Sequence, residues 1–329
     1  MAVYTTIDDP TLFFRVKAYS GTGSAASITF DITDTSMEPN MVWIKNRSTT
    51  GNHGIWDSVR GATKQIYPNV NYSESTAANS MTAFNSNGFS VGSDGDQNGS
   101  GNSLVAWCWK ESADAGFDIV SYTGNGSNRT ISHSLSAVPE MIIHKNRSAA
   151  GNWRVYHKGI GNTHVMNLDD NTAKYDDATM FQDTSPTSSV WSLGTDTALN
   201  NNTNSFIAYL FTSKQGFSKF GSYKGNASTD GTMVWTGFRP AYVIQKVTDT
   251  TSDWNVYDNK RNTFNPHDKL FYADTSAAEV THTSMDFLSN GFKLKSTDGA
   301  LNGSGNNYIF MAFAEAPFVN SKGVPCNAR

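Results

Sequence analysis

Cysteine, charge and long apolar runs are all scarce in this chain of 329 residues. Two cysteines, Cys108 within an apolar segment and Cys326 near the end, occupy unrelated positions, which excludes a disulfide framework and leaves one buried and one tail thiol. Charged residues make up 16% and the net charge is -4, so the clustered Lys and Arg of a nucleic-acid surface are missing. No stretch holds a 3.6-residue apolar period for three turns, which excludes a helical body and confines helix to a turn or two near 75–79 or 275–279. The first residues carry neither a basic region nor an apolar segment, so no secretory signal and no membrane span is expected. The formal glycosylation triplets at Asn46 and Asn146 carry little weight for that reason.

What the chain does have is repetition. Pro39-Asn-Met-Val-Trp-Ile-Lys45-Asn-Arg-Ser48 returns as Pro139-Glu-Met-Ile-Ile-His-Lys145-Asn-Arg-Ser148, and more loosely as Pro240-Ala-Tyr-Val-Ile-Gln-Lys246. The spacing of about 101 residues sets the architecture before any local motif does. Tyr19, Tyr122 and Tyr223 keep the same register, as do Trp56-Asp57, Tyr156-His157 and Tyr257-Asp258. Phe84-Asn-Ser-Asn-Gly-Phe89 recurs as Phe287-Leu-Ser-Asn-Gly-Phe292. Each unit ends in an apolar run: Leu104–Trp109, Phe206–Phe211 and Ile309–Phe313. The units are therefore 12–112, 113–215 and 216–318, with arms at 1–11 and 319–329.

Aromatics at 12% exclude disorder, and a unit of this size is near the commonest domain size, so each unit could fold alone and nothing obliges the units to share a core. In the first unit, eight short apolar stretches, among them 28–32, are separated by turn formers. That is the signature of an all-β fold of three tandem antiparallel β-sandwiches, jelly-roll or lectin-like. Continuously apolar runs such as Met141–Ile143 need cover on both faces, from a second sheet or a neighbouring unit. The Pro and Gly residues of the arms limit them to extended segments, suited to clamping neighbouring subunits.

One loop repeats with fixed spacing: Asp94, Asn98 and Asn102; Asp196, Asn200 and Asn204; Asp298, Asn302 and Asn306. Side-chain oxygens on a loop are what Ca2+ takes, and the amides could equally bond sugar hydroxyls. Asp and Asn also stabilise turns through their own backbone, so three readings stand: a turn, a calcium loop or a glycan contact. The Lys-Asn-Arg-Ser segments are either polar strand ends or seats for a phosphate or carboxylate on a partner. The seven histidines do not recur in register, and His157, replacing Asp57 and Asp258, reads as a variable surface position. Adjacent acids such as Asp169-Asp170 and Asp176-Asp177 point apart in a strand or turn, which argues against a glycosidase pair. No catalytic residues and no enzyme activity are expected, and no cofactor other than the calcium above.

The opening Tyr4-Thr-Thr-Ile-Asp-Asp-Pro10 belongs with three further segments: Trp43–Ser48 with Trp56-Asp-Ser-Val-Arg-Gly-Ala62, Val105-Ala-Trp-Cys-Trp-Lys110, and the ending Met311–Pro325. Together they resemble repeat-containing virion proteins of tailed bacteriophages, especially those of marine and aquatic bacteria. The resemblance covers nearly the whole chain. It implies a structural or adsorption component of a virion assembled in a bacterial cytoplasm, with other virion proteins as partners. A tail fibre, spike or adaptor in host attachment, through a surface glycan or receptor, is one expectation. A capsid knob, where three units mimic a trimer, is another, and a free carbohydrate-binding or hydrolytic protein a third. The chain is also a candidate homo-oligomer. Truncation after Phe318 is expected to leave folding intact and to reduce incorporation into particles.

Overall fold

A computed structural model describes residues 3–31 and 35–326, the side chain of Thr283 apart; Ile32 and the outermost residues of both arms lie outside the described residues. The chain is 43% strand and 6% helix, arranged in several antiparallel sheets.

Each repeat builds its main sheet in the same way. An opening strand (Phe14–Ser20, Phe117–Thr123, Ser218–Lys224) pairs with the closing strand (Ser103–Trp109, Ser205–Phe211, Asn307–Pro317). The closing strand pairs on its other side with an inner strand (Met41–Asn46, Met141–Asn146, Phe238–Val247), which pairs in turn with a return strand (Gly54–Asp57, Arg154–His157, Asn255–Asp258). Connecting segments form a smaller second layer: Ala26–Thr29, Gly88–Val91 and Met81–Asn85 in the first repeat, Arg129–Ser132 and Val190–Leu193 in the second. In the third repeat the two layers run together into one eight-stranded sheet that reaches Gly291–Leu294 and Met233–Trp235. The Asn-Gly turns of the repeated Ser-Asn-Gly motif explain why glycine is required there. A Cβ on Gly88 would lie 2.1 Å from the Ile28 carbonyl oxygen, and one on Gly291 would lie 2.0 Å from that of Val234.

The closing strands are apolar throughout because both of their faces are buried. Leu104, Ala106 and Cys108 enter a cluster private to the first repeat, as do Phe206, Ala208 and Leu210 in the second and Tyr308, Phe310 and Ala312 in the third. The alternate residues, Val105, Trp107 and Trp109, Ile207, Tyr209 and Phe211, and Ile309, Met311 and Phe313, meet in one core common to all three repeats. Phe211 and Phe313 lie 6.1 Å apart across that core, and Trp109 and Tyr242 lie 5.8 Å apart. The expectation that nothing obliges the units to share a core is therefore overturned: neighbouring repeats supply one of the two covers.

Two other expectations change. Ser75–Thr76 is strand, and the helices are single turns at Gly95–Asn98, Ala178–Phe181, Thr197–Asn200 and Gly299–Asn302, with one 3-10 turn at Pro10–Leu12. The arms are not simply extended in their described parts. Tyr4 donates its hydroxyl to the Gly237 carbonyl at 2.8 Å, Thr5 and Ile7 are buried, and residues 319–325 fold back on themselves. The Ser321 amide donates to Asp8 at 2.6 Å, joining the two arms within the chain.

Production of residues 113–215 alone should therefore give a repeat that exposes Trp153, Tyr209 and Phe211. It is expected to bind a hydrophobic dye and to melt without a cooperative transition, whereas a monomer with a sharp calorimetric transition would refute the common core as a requirement.

Candidate functional site

The nine loop residues sit at the one-turn helices and are engaged in holding them. Asp94, Asp196 and Asp298 are the N-caps, each carboxylate accepting from the amide two residues on, at 2.9, 2.7 and 2.7 Å. Asn98, Asn200 and Asn302 are fully buried at the other end of the turn. The Asn98 side chain donates to the Ser24 and Gly92 carbonyls at 2.6 and 2.7 Å and accepts from the Thr22 amide at 2.9 Å. Asn200 repeats this on Ser127, Gly194 and Asn125, and Asn302 on Ser228, Ser296 and Asn226. Asn102, Asn204 and Asn306 complete the loop through backbone bonds, their carbonyls accepting from Gly21, Gly124 and Gly225. Tyr19, Tyr122 and Tyr223 donate their hydroxyls to the carbonyl just before each buried asparagine, at 2.7, 2.8 and 2.9 Å. Two sequence signals thus turn out to be one structural pin between opening strand and loop. Among the described residues, no group of three His, Cys, Asp or Glu side chains is gathered that could hold a metal ion.

The basic segments tie the repeats to one another. Arg47 grips Glu279 with two bonds of 2.8 and 2.9 Å, and Arg147 grips Glu74 at 2.8 and 3.1 Å. The carboxylate that such a segment could seat is therefore on the same chain. At the third contact the polarity reverses, with Lys174 lying 3.7 Å from Asp249. The backbone bonds stay the same in all three: Glu279, Glu74 and Lys174 donate their amides to Arg47, Arg147 and Thr248. The first repeat contacts the third, the second the first and the third the second, so the contacts close in a ring.

Beneath these clasps, the closing strand of one repeat meets the return strand of the preceding one around the ring. Trp107 donates its indole N–H to Asp258 at 3.0 Å, and Tyr209 donates its hydroxyl to Asp57 at 2.6 Å. Each aspartate also holds an arginine three residues on, Arg261 or Arg60, at 2.5 Å and with both side chains fully buried. At the third seam Met311 stands in the place of Trp107 and Tyr209 and has no proton to donate. There the aspartate is replaced by His157 and the arginine by Ile160, and the ring Nε2 of His157 faces the Phe310 carbonyl at 3.3 Å. His157 is accordingly not a surface position, and burial lowers its pKa to about 4. An arginine without its aspartate would keep only the longer contact, to Glu74 at 3.3 Å or Glu279 at 3.4 Å, and would be an under-paired buried charge, which accounts for both members changing together.

Further groups perturbed by burial also line these seams or the repeat interiors. Lys45, Lys145 and Lys246 are buried, and loss of solvent lowers each pKa to about 8. Lys45 and Lys145 donate to the Gly51 and Gly151 carbonyls at 3.0 and 2.6 Å. Burial raises Asp169 to about 6, and burial together with Asp253 raises Asp274 to about 8. These two carboxyls accept from the Trp153 and Trp254 amides, whose indoles in turn donate to the Tyr67 and Asn167 carbonyls of the preceding repeat. A second acidic pair not anticipated from sequence, Glu111 with Asp118, holds a turn through the Ile119 and Ser134 amides. Its signal was present only as an isolated Glu and Asp seven residues apart, which no motif marks.

Two measurements test this geometry. Asp57→Ala should cost about 3–5 kcal/mol in urea unfolding because it leaves buried Arg60 with only the 3.3 Å contact to Glu74, and adding Arg60→Met should restore part of that loss; a double variant no better than the single one would refute the seam. His144, enclosed by Phe181 and Trp191, has its pKa lowered to about 3 by burial. A depressed histidine stabilises the fold above its unfolded value and loses that contribution as the pH falls towards the folded one. His144→Ile, the residue of the first repeat at Ile44, should therefore lose less melting temperature than the parent between about pH 6.5 and 4.

A family model described as a domain of unknown function (DUF7483) matches residues 9–317, spanning all three repeats. No curated protein matches the chain.

Proposed function

The chain belongs to the DUF7483 family, whose description assigns no activity, and from that premise we propose that it is a non-enzymatic structural component of a bacteriophage virion. Its place is a tail fibre, spike or adaptor serving host attachment. The observation that carries this reading is the ring of three repeats closed around one core, which gives a stiff, disulfide-free body of the kind a particle exposed to its environment needs. In finer detail, each repeat is a two-layer antiparallel sandwich, and three of them share the inner faces of their main sheets. His157, Asp169 and Asp274, whose pKa values are displaced by burial, are spent on tying strands, loops and repeats together, which supports a structural over a catalytic role. The segments quoted above as resembling phage virion proteins include the clasp Trp43–Ser48 and the seam residue Asp57, so the likeness falls on residues that build the ring.

The same closure favours a second position. Three similar repeats around one core reproduce in a single chain the shape of a trimer, which would fit a local three-fold axis of a capsid. Among the described residues, no helix is long and apolar enough to cross a membrane.

Quantitative mass spectrometry of purified particles against the major capsid protein separates these positions. A low copy number, near a small multiple of three or six, is the result expected for a tail appendage; a number comparable with capsid axes would move the chain to the capsid. Absence from the particle would overturn the virion reading.

A further inference from the structure

Seven of the eight tryptophans are buried to within 2% exposure, and Trp235 alone is 52% exposed. It lies on the edge strand Met233–Trp235, opposite Gly291. The corresponding positions of the other repeats are Thr29, opposite Gly88, and Ser132, both exposed. The other two repeats are thus content with a small hydroxyl here, and the ring contact with Phe318 leaves half of the indole in solvent. Trp235 rests edge-on against Phe318 at 5.6 Å and forms one wall of a cleft of about 440 Å³. Gln215 and Lys219 also line the cleft, and their side chains make no hydrogen bond among the described residues. The Tyr4 hydroxyl, bound to the Gly237 carbonyl, fixes another wall.

A second departure lies beside the first. Ten positions separate Arg261 from Phe271 in the third repeat, against six between Arg60 and Ile66 in the first, and the longer loop carries Phe264 at 76% exposure. Phe264 lines a cleft of about 490 Å³ together with Arg239 and the turn residue Asn290. The Asn290 carbonyl accepts from the Thr236 and Gly237 amides, so the two clefts flank one turn.

We propose that this end of the third repeat binds a saccharide built of pyranose units, with Trp235 as the platform on which a sugar ring stacks. A pyranose has an apolar face of C–H groups and a rim of hydroxyls. An exposed indole beside a free amide and a free ammonium offers the complement of both, in clefts of the size that ligands occupy. Phe264 supplies a second apolar platform on the far side of the turn. A protein partner would be expected to seat on a larger continuous apolar patch than Trp235 with Phe318 and Met233, bordered by polar groups and parted from Phe264 by the turn. The inference rests on the reading of the chain as an attachment component and names the chemistry it would attach to.

The test is retention of the full chain on a printed array of bacterial capsular and lipopolysaccharide preparations, with tryptophan emission followed for each positive glycan. Trp235→Thr installs the first repeat's own residue, so folding is preserved, and Tyr72→Ser removes an unrelated exposed ring. The expected result is saturable binding that perturbs the emission of the one exposed indole, is weakened about ten-fold or more by Trp235→Thr, and is unchanged by Tyr72→Ser. Retention on no glycan, or equal retention of the parent and Trp235→Thr, overturns the proposal. Loss of the Trp235→Thr chain from particles without any glycan binding would also overturn it, in favour of a protein contact. Presence in particles without glycan binding would remove this inference alone, whereas glycan binding by a chain absent from particles would remove only the virion reading.

Discussion

A strand that is apolar on both faces needs two covers, and the closing strands of this chain can find only one within their own repeat. Trp107, Tyr209 and Met311 would otherwise face water from the middle of a main sheet. Burial of such side chains contributes a few kcal/mol apiece, far more than any exposed ion pair returns. The three sheets therefore turn these faces towards one another, and the order of repeats, the clasps and the positions of the arms follow from that closure.

A closed ring has to match at every seam, which constrains how the repeats can diverge. Asp57 is useful only beside Arg60 and a donor such as Tyr209, and Asp258 only beside Arg261 and Trp107. Met311 removes the donor, and the same seam has lost both charges in favour of His157 and Ile160. The outer clasp varies under the same rule, with Arg–Glu pairs at two contacts and Lys174–Asp249 reversed at the third. Buried pairs of this kind add little net stability, but a mismatched one is costly, so they help to specify which repeat meets which.

This also decides what the sequence could reveal. The period, the short strands and the scarcity of helix are local properties, and they are legible in the repeated Pro-Asn-Met-Val-Trp pattern and in the glycines at 88 and 291. The common core is not, because a run such as Met141–Ile143 looks the same whether a second sheet or another repeat covers it. His157 was misleading for a related reason. Variation at one position suggests tolerance, while its compensation lies at Ile160 in the same repeat and at Met311 in another. The Asp-x3-Asn-x3-Asn loop was legible as a motif and ambiguous as chemistry, since an N-cap, a buried amide pin and an oxygen-ligand loop draw on the same residue types.

Positions that differ between repeats fall into two kinds. Those inside the ring change in compensating groups, as at 157, 160 and 311, and such changes are accounted for by burial and hydrogen bonding. Trp235, which meets only the edge of Phe318 from the tail, and the longer loop bearing Phe264 place apolar rings in solvent, where they cost solubility and join none of the core clusters. A fold that offers Thr29 and Ser132 as adequate solutions needs no indole at that edge, and the contact with Phe318 leaves half of it exposed. These two rings, and not the groups spent inside the ring, are what the proposed saccharide contact rests on.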